Sequence, residues 1–157
     1  MENNLYTQKE TLELLKQNGI NITLRTIQKY IKEKIVPIPV MSNSGINGRI
    51  IPEYTLECIS QIYANWNMLN NEFRITKLKL NQIRKIALYI LDNEYTTCKN
   101  MFDDNYLKKE LNSNDINVFL LTEWLKFREK LFYIEGYSES NYKSYSINWL
   151  YRFVVKF

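Results

Sequence analysis

The stretch from Thr23 to Ile51, TLRTIQKYIKEKIVPIPVMSNSGINGRII, decides how this chain is read. Thr23 offers a hydroxyl that can accept from an early helical amide. Behind it Leu24, Ile27 and Ile31 recur at spacings of three and four, and Arg25, Gln28, Lys29 and Lys32 fall on the opposite side, so a helix from Leu24 to about Glu33 is predicted. Val36-Pro37-Ile38-Pro39-Val40 comes next, and its two prolines forbid a helix and suit an edge strand or extended arm. Ser42 to Gly48 is turn chemistry, after which Arg49-Ile50-Ile51 can return as a second strand. Pro52 then suits the first turn of a third helix, whose stripe of Leu56, Ile59, Ile62, Tyr63, Trp66 and Leu69 carries it to about Leu69.

Upstream, Thr7 and Glu10 have the spacing of a capping box, in which the threonine hydroxyl accepts from an early amide and the glutamate reaches back to the cap amide. Leu12, Leu14 and Leu15 follow on a helical stripe, and Asn18-Gly19 offers a left-handed stop. Two short helices joined by a tight turn and followed by a two-stranded hairpin predict a winged helix-turn-helix at the head of a mainly α chain.

The order and spacing of these elements resemble the N-terminal DNA-binding domain of the MerR family of transcription regulators over roughly residues 5–90. That family opens a helix near a Tyr-Thr, here Tyr6-Thr7. Its recognition helix carries a Thr-Leu-Arg-x-Tyr core and a Glu-Gly-Leu-x-Pro turn, matched here by Thr26-Ile27-Gln28-Lys29-Tyr30 and Glu33-Lys34-Ile35-Val36-Pro37. A Gly-x-Arg-x-Tyr wing is typical, and Asn47-Gly48-Arg49-Ile50-Ile51 stands in its place. The following Leu-x-x-Ile pairs look like Leu56 to Ile62 and Leu80 to Ile86. Gln28 occupies the position of the core arginine, Lys34 that of the turn glycine, and Ile51 that of the wing tyrosine.

A recognition helix needs donors near its N-terminus that reach base edges, with flanking hydroxyl or basic groups to hold phosphates. Arg25, Thr26, Gln28 and Lys29 meet the first need, and Thr23 ahead of them is a further DNA-binding candidate; arginine pairs bidentately with guanine and glutamine with adenine. Tyr30 and Lys32 are candidates for the backbone, although an aromatic beside Ile27 and Ile31 can equally cover the core. The resemblance implies that Arg49, on the wing, lies along a phosphate. Charge supports the cluster, since Thr23 to Ile51 holds five bases against Glu33 alone, and Arg74 to Leu91 holds five bases and no acid.

The chain has 157 residues and 45% hydrophobic content, enough for one compact domain or two small ones. It contains no histidine, which removes Ser/His/Asp, Cys/His and histidine-metal chemistry. Cys58 and Cys98 have no partners at metal spacing and read as reduced thiols of a cytosolic protein. The start of the chain lacks a basic and then apolar leader, so a cytoplasmic protein that neither is secreted nor spans a membrane is expected. Asp103-Asp104 is an acidic pair, but adjacent carboxylates in an Asn-rich stretch are ordinary turn formers, and no catalytic residue, metal or cofactor is expected.

Asp92 to Asn141 carries ten acids against six bases, and 16 of the 22 aromatic residues lie between Tyr89 and Phe157. A second, helical and aromatic-rich module over 91–157 is therefore expected after a DNA-binding domain over 1–90. Within it Asp115 can cap a helix to about Ile134, where Leu120, Trp124, Phe127, Leu131 and Ile134 recur at four, three, four and three. That stripe reads as a dimer seam, suited to the two-fold operators of winged-helix proteins, with an intramolecular bundle helix as its rival. The aromatics could also line a ligand pocket, as in drug-sensing relatives. Tyr142 to Phe157 fits either a strand or a helix; buried it finishes a core, and exposed it could dock on a protein partner or an anionic membrane. The function expected is sequence-specific binding of double-stranded DNA by a homodimeric MerR-like transcription regulator without catalysis. The alternative is an accessory DNA-binding factor of a phage or plasmid, acting in partition, replication or excision.

Overall fold

The computed structural model describes residues 5–43, 46–70, 73–92 and 115–134. These are mainly helical, with a small three-stranded sheet. The chain divides into two compact units, Met1–Trp66 and Asn67–Phe157. The division falls inside a helix, ahead of the 90/91 boundary expected from composition.

In the first unit, strand β1 (Leu5–Tyr6) leads into helix α1 (Gln8–Gln17) through the capping box read from the sequence. The Glu10 amide donates to Thr7 Oγ1 at 3.1 Å, and the Thr7 amide donates to Glu10 Oε1 at 2.9 Å. Such a cap contributes about 1 kcal/mol. Thr11, Leu14 and Leu15 are buried. The helix stops at Asn18-Gly19, where Gly19 adopts φ +84° and the Ile20 amide closes back on the Leu15 carbonyl at 2.9 Å.

Helix α2 (Leu24–Lys32) ends by the same device without a glycine. Lys34 takes φ 60°, its amide donates to the Ile31 carbonyl at 3.0 Å, and the Ile35 amide donates to the Tyr30 carbonyl at 3.1 Å. A side chain in this left-handed region costs about 1 kcal/mol. Glycine relieves that cost but is freer in the unfolded chain. Lys34→Gly is therefore predicted to stabilise the protein by about 0.5 kcal/mol, seen as a higher urea midpoint at unchanged slope. A lower midpoint would mean that the lysine side chain's own interaction outweighs the backbone strain.

The chain then departs from expectation. Val36 to Pro39 is irregular, and strand β2 is Val40–Ser42. The carbonyls ahead of β2 are taken by side chains of the next helix instead of a strand ladder: Asn65 Nδ2 donates to the Ile35 carbonyl at 2.7 Å, and Cys58 Sγ donates to the Pro37 carbonyl at 3.3 Å. Pro52 lies in strand β3 (Ile51–Thr55), opposite Met41, and does not open a helix. Although β3 is the middle strand in the order β1-β3-β2, β1 pairs only with Tyr54 and Thr55, so at Pro52 one side is open and a residue without an N–H is tolerated. The helix begins later, as α3 (Leu56–Asn70), where Thr55 Oγ1 accepts from the Cys58 amide at 3.1 Å.

The core of this unit gathers Leu15, Ile20, Ile27, Tyr30, Ile35, Val36, Tyr54, Ile59 and Ile62, all buried. Burial raises the Tyr54 phenol above its ordinary range, against a hydrogen bond with the Gln8 side chain that lowers it and the Cys58 thiol that raises it further.

In the second unit, helix α4 (Lys77–Asp92), capped by Thr76, packs on helix α5 (Asp115–Ile134). Leu80, Ile83, Ile86 and Ala87 of α4 are buried, as are Leu120, Leu121, Trp124, Leu125 and Leu131 of α5. Phe73 sits beside this pair, its ring centroid 5.8 Å from Phe119 and 6.3 Å from Phe127. Among the described residues no helix is long and apolar enough to cross a membrane.

Candidate nucleic-acid interface

Helix α2 is amphipathic for a local reason. Thr23, extended at φ −96° and ψ 157°, caps it by accepting the Thr26 amide at 3.2 Å, and the Thr23 and Thr26 hydroxyls lie 3.0 Å apart. From that start the 3.6-residue period turns Ile27 and Tyr30 inward and leaves Arg25, Gln28, Lys29 and Lys32 exposed. The four are spaced three, one and three apart, so they share one face of a single helix.

The first turn of α2 holds no acid. The partial positive charge of the helix start and the Arg25 guanidinium therefore reinforce each other, which favours an anionic partner. Among the described residues, Arg25, Lys29, Lys32 and Arg49 make no ion pair with a carboxylate. Arg49 is exposed at the end of the β2–β3 hairpin, just past a 3-10 turn (Ile46–Gly48).

Two groups of expected site residues stand elsewhere. Tyr30 is 3% exposed, so its ring belongs to the core and is not presented to a ligand; the tyrosine follows the Ile27 face, as period and volume dictate. Thr23 and Thr26 direct their hydroxyls to the helix cap.

The proposed dimer stripe is also largely occupied within the chain. Leu120, Trp124 and Leu131 are buried in the α4–α5 unit, and Phe127 is half-buried against Phe73. Helix spacing identified the apolar face of α5 correctly but could not say that α4 covers it. The Ile134 side chain, Cys98, Asp103-Asp104 and Tyr142 to Phe157 lie outside the described residues.

One feature of the hairpin escaped the sequence reading. Ile38, Val40, Met41, Ile46 and Ile50 are all exposed. The available signal was a run from Ile35 to Pro52 with seven isoleucine and valine residues and Met41 among prolines and turn residues, and no acid.

The chain matches no protein-family model, no curated protein and no solved structure.

Proposed function

We propose that this chain binds double-stranded DNA sequence-specifically as a winged helix-turn-helix protein, with α1 and α2 as the helix pair and the β2–β3 hairpin as the wing, and that it serves as a MerR-like regulator of transcription. The observation that carries this reading is the exposed face of α2. Arg25, Gln28, Lys29 and Lys32 project from a short, capped helix whose other face is buried, and among the described residues none of these cations makes an ion pair with a carboxylate. Guanidinium and carboxamide groups on the first turns suit base edges, and the lysines and Arg49 suit phosphates.

Helix-turn-helix readers meet two-fold sites as pairs of copies. With Leu120, Trp124 and Leu131 already buried, that pairing falls to a surface other than the α5 stripe. The test of specificity is selection from a pool of random duplexes by the full chain. Enrichment of one motif is the expected result, and recovery of unenriched sequence would contradict specific recognition.

A further inference from the structure

Strand β2 (Val40–Ser42) ends the sheet order β1-β3-β2, so among the described residues its outer edge has no neighbouring strand. Antiparallel pairing with β3 sets Met41 opposite Pro52. Proline has no N–H to give, and its nitrogen faces the side that β1 leaves open, so Met41 and Pro52 exchange no ladder bonds. The backbone N–H and C=O of Met41 therefore point away from β3, to the outer edge. Side chains add to what that edge offers. Val40 and Met41 point to opposite faces of the strand, yet they are 43% and 59% exposed, and Ile38 ahead of them is 81% exposed. From Ile35 to Gly48 the chain carries no charged residue. An edge that is apolar on both faces and lacks the lysine that commonly guards one is a template for another strand.

From this arrangement we infer that β2 pairs with β2 of a second copy about a two-fold axis, joining the two sheets into one of six strands.

Three observations favour a second copy as the occupant. A two-fold axis lays a strand antiparallel to itself, and an axis at Met41 sets that residue opposite Met41 of the second copy, so each amide donates to the other's carbonyl. Charge agrees, because self-pairing of an uncharged strand sets no like charges opposite one another, whereas a charged partner strand would meet no counter-ion here. The side chains match as well. Met41 meets Met41 on one face, and on the other Val40 of each copy lies opposite Ser42 of its mate, so apolar surface is covered on both faces at once. Pro37 and Pro39 lack the N–H that would extend the ladder and keep it short. Use of the same edge by both copies closes the assembly at two and leaves β1 outside it.

The inference rests on the DNA-binding reading in one respect: it supplies the pairing of copies that a two-fold site requires and that the α5 stripe does not. A short ladder buries less than a standard interface of about 1,600 Å², so the dimer is a weak one that two half-sites on one duplex hold together.

The experiment is sedimentation velocity of the full chain over a range of concentrations without DNA, run beside mild oxidation of the Met41→Cys variant. A reversible monomer–dimer equilibrium is expected, with its dissociation constant raised about 10-fold by Met41→Lys, which sets like charges opposite one another. Met41→Cys should form a disulfide-linked dimer, since the Cα atoms of such a pair stand about 5.5 Å apart, within disulfide reach. Glu13→Cys, exposed on α1, is the control and should cross-link no faster than the wild type. Met41 is exposed, so both of its variants keep the wild-type melting curve, and the cross-link reports on the edge independently of Met41→Lys. A chain that is monomeric at every concentration, an assembly larger than two, or a dimer indifferent to Met41→Lys and without a cross-link at position 41 would overturn the inference. Duplex binding by the same samples separates the two readings. A dimer linked at position 41 that binds no duplex would keep the edge pairing and overturn the DNA-binding reading, and a DNA-binding monomer would do the reverse.

Discussion

Replacement of Trp124 by alanine is expected to destabilise the α4–α5 unit by about 3–5 kcal/mol, the usual cost of emptying a large aromatic site in a core. The indole is 0% exposed, and Leu121 and Leu125, on either side in the sequence, are buried with it. The lost contacts belong to one chain, so the urea midpoint should fall by the same amount at low and high protein concentration. A dimer seam behaves differently: the variant would retain a folded monomer, and its stability would change with concentration. An unaltered midpoint together with a shift from dimer to monomer would return the Leu120 to Ile134 stripe to the interface.

The second large effect concerns specificity. Arg25→Ala and Gln28→Ala should each remove about 1–3 kcal/mol of discrimination between the preferred site and single-base variants of it, because a bidentate pair to a base edge is lost and the wrong base is no longer penalised. Arg49→Ala should weaken binding to all duplexes by a similar factor and leave the order of preference unchanged, since arginine at the hairpin tip meets the phosphate backbone and not a base edge. Competition titrations over a panel of single-base variants separate the two outcomes. Should Arg49→Ala alter the preferred site while Arg25→Ala leaves it intact, the roles of helix and wing would be exchanged.

The features legible in the sequence are those whose cause is local. Thr7 with Glu10, Thr23 with Thr26, and Asn18-Gly19 act through bonds spanning three to five residues, and α1 begins and ends, and α2 begins, where those signals lie. The span of α5 from Asp115 to Ile134 was readable for a similar reason, because a long helical period tolerates little ambiguity. What escaped depends on distant partners. The pairing of Leu5–Tyr6 with Tyr54–Thr55 joins segments far apart in the chain, and two residues carry no strand period. Pro52 was misplaced because proline suits both a helix start and a half-open strand, and only the short reach of β1 decides between them.

The same limit explains the site. Period placed Arg25, Gln28, Lys29 and Lys32 on one face of α2, where the structure has them exposed. It could not decide whether Tyr30 turned toward solvent or core, nor whether α5 was covered by α4 or by a second copy. The exposed isoleucines of the hairpin were hidden for a related reason, since a run that suits an edge strand or extended arm does not show whether its apolar side chains are covered until its neighbours are known.

The central claim is that the basic face of α2 and the hairpin engage DNA phosphates, and a salt series on one duplex tests it most directly. If Lys29, Lys32 and Arg49 each neutralise a phosphate, log affinity should fall with log salt at a slope of about −3 per copy as counterions are released. Replacing Lys29 and Lys32 together with alanine should make that slope shallower by about 2. Duplex binding that is indifferent to salt, or a slope unchanged in the double variant, would contradict the account.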